Sequence, residues 1–125
     1  MSPVARAICQ ALLDHHRLVC PPDGGGKAPD SCLISYGDLC HRAGVSAVVR
    51  KVGHFLQEVA EWCDRSGYPP LNSLAVNQDS RMPGDNYDVA PGCSLLGWPA
   101  QAQACIDFTG YPEKAPGPTQ RPQYL

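Results

Sequence analysis

The run from Leu33 to Leu56 constrains this chain more than any other stretch, because it holds two helical patterns separated by a glycine stop. Tyr36 to Ala43 reads as a short helix, and Gly44 is a residue that readily takes the left-handed conformation closing a helix. Ser46 stands where a cap would open a second, longer helix. Along that helix Val45, Val48, Val49, Val52, Phe55, Leu56, Val59, Trp62 and Cys63 recur at three and four residues, which predicts one buried stripe. Gly67 and the pair Pro69-Pro70 end it. The opposite face carries Arg50, Lys51 and His54 early, then Glu58, Glu61 and Asp64 late. Cations at a helix N-terminus oppose its dipole, so their placement there points to another use. Two short-linked helices, the second opening with exposed cations, form the arrangement that a helix-turn-helix offers to DNA.

The remainder is organised around that pair. At 125 residues the chain suits one domain, expected over residues 1–110 with a flexible loop at 21–31 and a Pro-rich tail at 111–125. Pro3 to Val19 reads as a first helix, with Ser2 as cap and Pro3 in the first turn. Leu71 to Val76 alternates weakly and is expected to be a strand, followed by the polar turn region Asn77 to Asn86, so that a wing-like hairpin would carry Arg81 in its loop. Trp98 to Phe108 admits a short helix opened by Pro99 or a loop leading to a strand near Cys105 to Phe108; the loop and strand are the expectation. The fold class that follows is a small α+β, winged helix-turn-helix-like domain with a short β-hairpin or sheet and a long irregular C-terminal region.

Charge and cysteines narrow the function classes. A formal charge of -2 and a pI near 6.0 argue against a surface that grips phosphates everywhere, and leave room for a local basic patch. The opening Met1 to Arg6 lacks the basic and apolar regions of a secretory signal, and no window approaches the roughly 20 apolar residues of a membrane span. A cytoplasmic protein is expected. The cysteine count of 7 is odd, and Cys9, Cys40 and Cys63 fall within helical patterns, so most are expected to be reduced, small apolar residues. His15-His16 with Cys20, and Cys32 with Cys40-His41, lack the paired spacing of a zinc site, so no metal is expected. Gly24 to Gly26 with Lys27 lacks the full phosphate-loop spacing. Asp79, Asp85 and Asp88 surround a turn, where acids serve turn geometry.

Ile34-Ser35-Tyr36, Leu39, Gly44, Arg50, Val52 and Gly53 fill, without a gap, a pattern that resembles the DNA-binding domain of O6-alkylguanine-DNA alkyltransferases and alkyltransferase-like proteins. The match covers under a fifth of the chain; beyond Leu56 only Leu74 to Asn77 and Gly84 to Tyr87 can be laid over the strand and Gly-rich turn of that family. Its reactive Pro-Cys-His-Arg would fall near Leu71-Asn72-Ser73-Leu74, where this chain has no cysteine and no histidine to activate one. The resemblance therefore implies a protein that binds DNA without alkyl transfer and needs no cofactor. It implies a winged helix in the minor groove, Arg50 as the finger that fills the gap left by a flipped base, and Tyr36 as the residue that helps turn the nucleotide. Arg42, Ser46, Lys51, His54 and Arg81 complete the expected DNA-binding set.

That reading places the chain in a genome-maintenance or phage-defence setting, sensing altered bases. A different class fits the same scaffold, namely a protein-interaction module such as a small phage or mobile-element factor that binds a nucleic-acid enzyme. An exposed apolar patch around Tyr68, Trp98 and Tyr111 would favour it. A third, an enzyme-like remnant, would use Asn72, Ser73 and the nearby acids.

Overall fold

Ser2 and Pro3 start the first helix as their positions predict. The computed structural model describes residues 1–20 and 29–117, and in it α1 runs Pro3–Val19, with the Ser2 hydroxyl accepting from the Ala5 amide at 3.3 Å. Ser2 also donates from its amide and its hydroxyl to the Glu58 carboxylate, each at 2.8 Å, which pins the start of α1 to the long helix. Ile8, Cys9, Leu12 and Leu13 form its buried stripe. The proposed loop at 21–31, including Gly24 to Lys27, lies outside the described residues up to position 28.

After a 3₁₀ turn at Pro29–Cys32 comes the short strand β1, Ile34–Ser35, and then α2, Tyr36–Arg42. Ser35 caps α2 by accepting from the Asp38 amide at 3.1 Å, and Gly44 turns the chain at φ 76°. The second helical element differs from the expectation at its start. Ser46–Lys51 is a 3₁₀ helix that no side chain caps, and α3 proper is Val52–Ser66. Ser46 therefore does not cap it. The β-branched Val45, Val48 and Val49 are poor helix formers; Val45 and Val48 pack against the core only in part, and full burial of the apolar stripe begins at Val52. Gly67, at φ 75°, closes α3.

The expected strand over Leu71 to Val76 is mostly a 3₁₀ turn, Leu71–Leu74, leaving β2 as Ala75–Val76. Pro70 accepts from the Ser73 amide at 3.0 Å, and Asn72 and Ser73 suit a turn better than a strand. β2 pairs in parallel with β1, Ile34 opposite Ala75 and Ser35 opposite Val76. The hairpin wing is not formed. Asn77 and Met82 close a turn through a 2.9 Å backbone bond, and Pro83, lacking an amide proton, cannot extend a ladder beyond it. What the fold shows is thus a mixed arrangement of helices with a two-stranded parallel sheet.

The C-terminal part departs further. Instead of a loop and a strand, Trp98–Asp107 forms α4, with Pro99 in its first turn. Ala100, Gln101, Ala102, Gln103 and Ala104 are good helix formers, and Ala102, Cys105 and Ile106 give it a buried side. Residues 111–117 pack along α1: Ala115 is buried, its amide donates to Gln10 Oε1 at 2.8 Å, and Arg6 Nε reaches Pro116 O at 3.0 Å. No helix among the described residues is long and apolar enough to cross a membrane.

Candidate nucleic-acid interface

Six of the predicted residues lie on the α2–turn–α3 unit, and the fold presents them in two ways. Arg42, Ser46, Arg50, Lys51 and His54 are exposed, the first at the end of α2, the next three on the 3₁₀ turn, and His54 in the opening turn of α3. The ion pair found among the described residues joins Arg17 to Asp14, so none of these cations has a carboxylate at ion-pair distance within the described residues. The His54 ring stands edge-on to Phe55, centroids 5.7 Å apart. Arg81 lies on the Asn77–Met82 turn, partly buried and at φ 57°, rather than in the loop of a wing.

Tyr36 is placed differently, half-buried at the start of α2. Its hydroxyl oxygen accepts from the Gly84 amide at 2.7 Å, a contact across 48 positions of sequence. Burial pushes its pKa up, with the Gly84 bond acting against that, so the ring stays protonated and neutral. Tyr36 and Arg42 are the two ends of the seven-residue α2, a rise of ~9 Å along the axis.

Gly53 explains itself by a close approach. A Cβ added there would meet the Asn86 side chain, with Asn86 Cβ at only 2.8 Å. The segment Gly84 to Tyr87 therefore docks on the central run at two points, through Tyr36 and over Gly53. Between them lies a small cleft of about 10 Å³ lined by Tyr36, Gly53, Leu56, Asn72, Asn86 and Tyr87, among others. Asn72, one of the lining residues, is buried, and its Oδ1 has no hydrogen-bond partner among the described residues. The resemblance puts Asn72 at the position of a reactive segment, whereas Asn86 and Tyr87 carry no local sequence signal beyond the loose match at Gly84 to Tyr87.

Burial disfavours the thiolate form of three of the cysteines. Cys9, Cys63 and Cys105 are buried, and desolvation pushes each up to about 12. They remain thiols at neutral pH. No group of three or more His, Cys, Asp or Glu among the described residues is arranged to hold a metal ion. Tyr68, Trp98 and Tyr111 are partly buried against the core rather than fully exposed. Tyr68, Phe108 and Tyr111 pack ring against ring at 4.7 to 5.6 Å, Trp98 Nε1 donates to Ser73 O at 2.8 Å, and Tyr111 donates to Pro69 O at 2.5 Å. A second cavity of about 310 Å³ lies beside this cluster, against Leu13, His16, Cys20 and Pro112. Comparison with family models, with curated proteins and with solved structures returned no match.

Proposed function

We propose that the α2–turn–α3 face binds duplex DNA without chemistry, in the manner of an alkyltransferase-like protein. The observation that carries this reading is the group of exposed cations Arg42, Arg50 and Lys51 on the stretch from the end of α2 to the start of α3, with no carboxylate at ion-pair distance among the described residues, in a protein whose overall charge is -2. Bare cations on an otherwise acidic chain favour a polyanion locally through counterion release. In this reading Arg50 enters the minor groove and fills the space of an unstacked base, Tyr36 stands at the lip of the cleft, and Arg42, Ser46, Lys51, His54 and Arg81 contact phosphates. A planar guanidinium recovers part of the stacking that a flipped base gives up.

Fluorescence anisotropy with duplexes carrying O6-methylguanine, an abasic site or no lesion, at two salt concentrations, tests it. Affinity should fall steeply with salt, Lys51→Ala should reduce the salt slope by about 1, and Arg50→Ala should cost ~10-fold or more, chiefly on the lesion duplexes. Negligible binding at low salt, or an Arg50→Ala protein that binds as well as the parent, would sink the proposal.

A further inference from the structure

The cavity of about 310 Å³ beside the last turns of α1 is walled by Leu13, His16, Phe108, Tyr111 and Pro112, with the exposed Arg17 next to them. A space of that size lies at the lower end of small-molecule sites and suits one ring or two fused ones. Rings in its wall already meet edge-on: Tyr111 stands 4.9 Å from His16 at 80° and 4.7 Å from Phe108 at 79°. A further aromatic ring joins such a cluster in the same edge-on or offset geometry.

His16 gives this apolar wall one polar handle. Its Nε2 bonds to Cys105 O at 2.8 Å, and a carbonyl oxygen only accepts, so the ring proton sits on Nε2. Burial is the chief cause holding the His16 pKa below its ordinary value; Arg17 adds to it and the Cys105 bond opposes it, so the ring is uncharged at neutral pH. Nδ1 is then a bare acceptor. It has no hydrogen-bond partner among the described residues and, unlike Nδ1 of His15, is not sealed from solvent. His16 is 6% exposed and lines the cavity, so what its ring leaves accessible opens there. Arg17 disfavours a cationic guest, while an anionic one would meet the Nδ1 lone pair and a guanidinium already held by Asp14 and by Glu113 O. We propose that this cavity binds a small neutral aromatic molecule with one O–H or N–H donor, a phenol or an indole. Its ring lies against Phe108 and Tyr111, and its donor bonds to His16 Nδ1. The lining residues include none of the proposed DNA contacts.

Histidine-ring ¹H–¹⁵N spectra of the labelled protein, recorded with two matched pairs of probes, test this. Phenol and indole should move the His16 Nδ1 signal upfield, because a donated proton engages its lone pair. Anisole and N-methylindole, which keep the rings and lack the donor, should leave only the small shift caused by a neighbouring ring. Titration should show phenol binding ~5-fold or more tightly than anisole, the net worth of one hydrogen bond. His16→Gln, which keeps a donor for Cys105 O and has no ring acceptor, should bring phenol and anisole to equal affinity. Where that variant does not fold, the spectra and titrations of the parent decide. No shift with any probe, shifts of equal size with phenol and anisole, equal affinities in the parent, or an advantage of phenol that survives in His16→Gln overturns the proposal.

Discussion

Two six-residue segments of this protein both begin as 3₁₀ turns and are used in opposite ways. Every residue of Leu71 to Val76 is buried, whereas none of Ser46 to Lys51 is. The first joins α3 to the small sheet, and its Leu71, Leu74, Ala75 and Val76 are wholly enclosed by the helices. The second bridges α2 and α3 and keeps Ser46, Arg50 and Lys51 in solvent. A tight turn has few internal hydrogen bonds to hold it, so its surroundings decide its use. The lesson is a division of labour: Leu71 to Val76 is spent on the core, whereas Ser46 to Lys51 is left at the surface, where a ligand can reach it.

The sharpest way to break that contrast is to hollow out the buried segment. Leu74 is 0% exposed, in contact with a core that also includes Leu12, Leu39 and Val59. Leu74→Ala removes buried methyl groups and leaves a void, so chemical denaturation should show a loss of about 2–5 kcal/mol. A loss under ~1 kcal/mol would mean that the segment can collapse freely and is not core in the sense claimed.

How much of this contrast was legible in the sequence depends on the range of the interactions involved. Ser2-Pro3, Gly44 and Gly67 act on their own neighbours, and α1, the end of α2 and the end of α3 follow from them. The cations of the surface turn were legible too, since they interrupt an apolar stripe and have no buried role. Three features depended on distant residues and were missed. β2 pairs with β1 across some forty positions, so the expected hairpin never forms. α4 owes its place to Cys105 and Ile106 packing into the core, which its weak periodicity does not announce. The lining of the cleft by Asn86 and Tyr87 depends on the Tyr36–Gly84 and Gly53–Asn86 approaches, neither visible as a local pattern.

The buried half should also be where pH acts. His15 and His16 are 6% exposed, and their Nε2 atoms bond to Cys32 O and Cys105 O at 2.8 Å each. Desolvation lowers both pKa values; the carbonyl bonds oppose it, while Arg42 near His15 and Arg17 near His16 add to it. With the folded value below the unfolded one, the unfolded chain takes up protons first as pH falls. Stability is therefore full above the ordinary histidine value of about 6.5 and declines as pH drops through it towards the folded value. Thermal unfolding followed between pH ~7.5 and ~5.5, above the range where carboxylates titrate, should show that decline. The double variant His15→Gln/His16→Gln should flatten it. A slope unchanged in that variant would assign the titration to other groups.

The smallest effect is the one that tests the surface segment directly. Arg50 and Lys51 touch no acid among the described residues, and they sit just ahead of α3, where its dipole disfavours positive charge. If the turn exists to present them, Arg50→Ala/Lys51→Ala should leave folding stability within ~0.5 kcal/mol of the parent. Any change should be a slight gain, larger at low salt because the unfavourable field of the two cations is then unscreened. Paired denaturation curves at low and high ionic strength measure this, and they separate the two uses of a 3₁₀ turn by sign: a loss beyond ~1 kcal/mol, present at both salt concentrations, would make Ser46 to Lys51 a structural element like Leu71 to Val76 and would remove the reason for reading its cations as a binding surface.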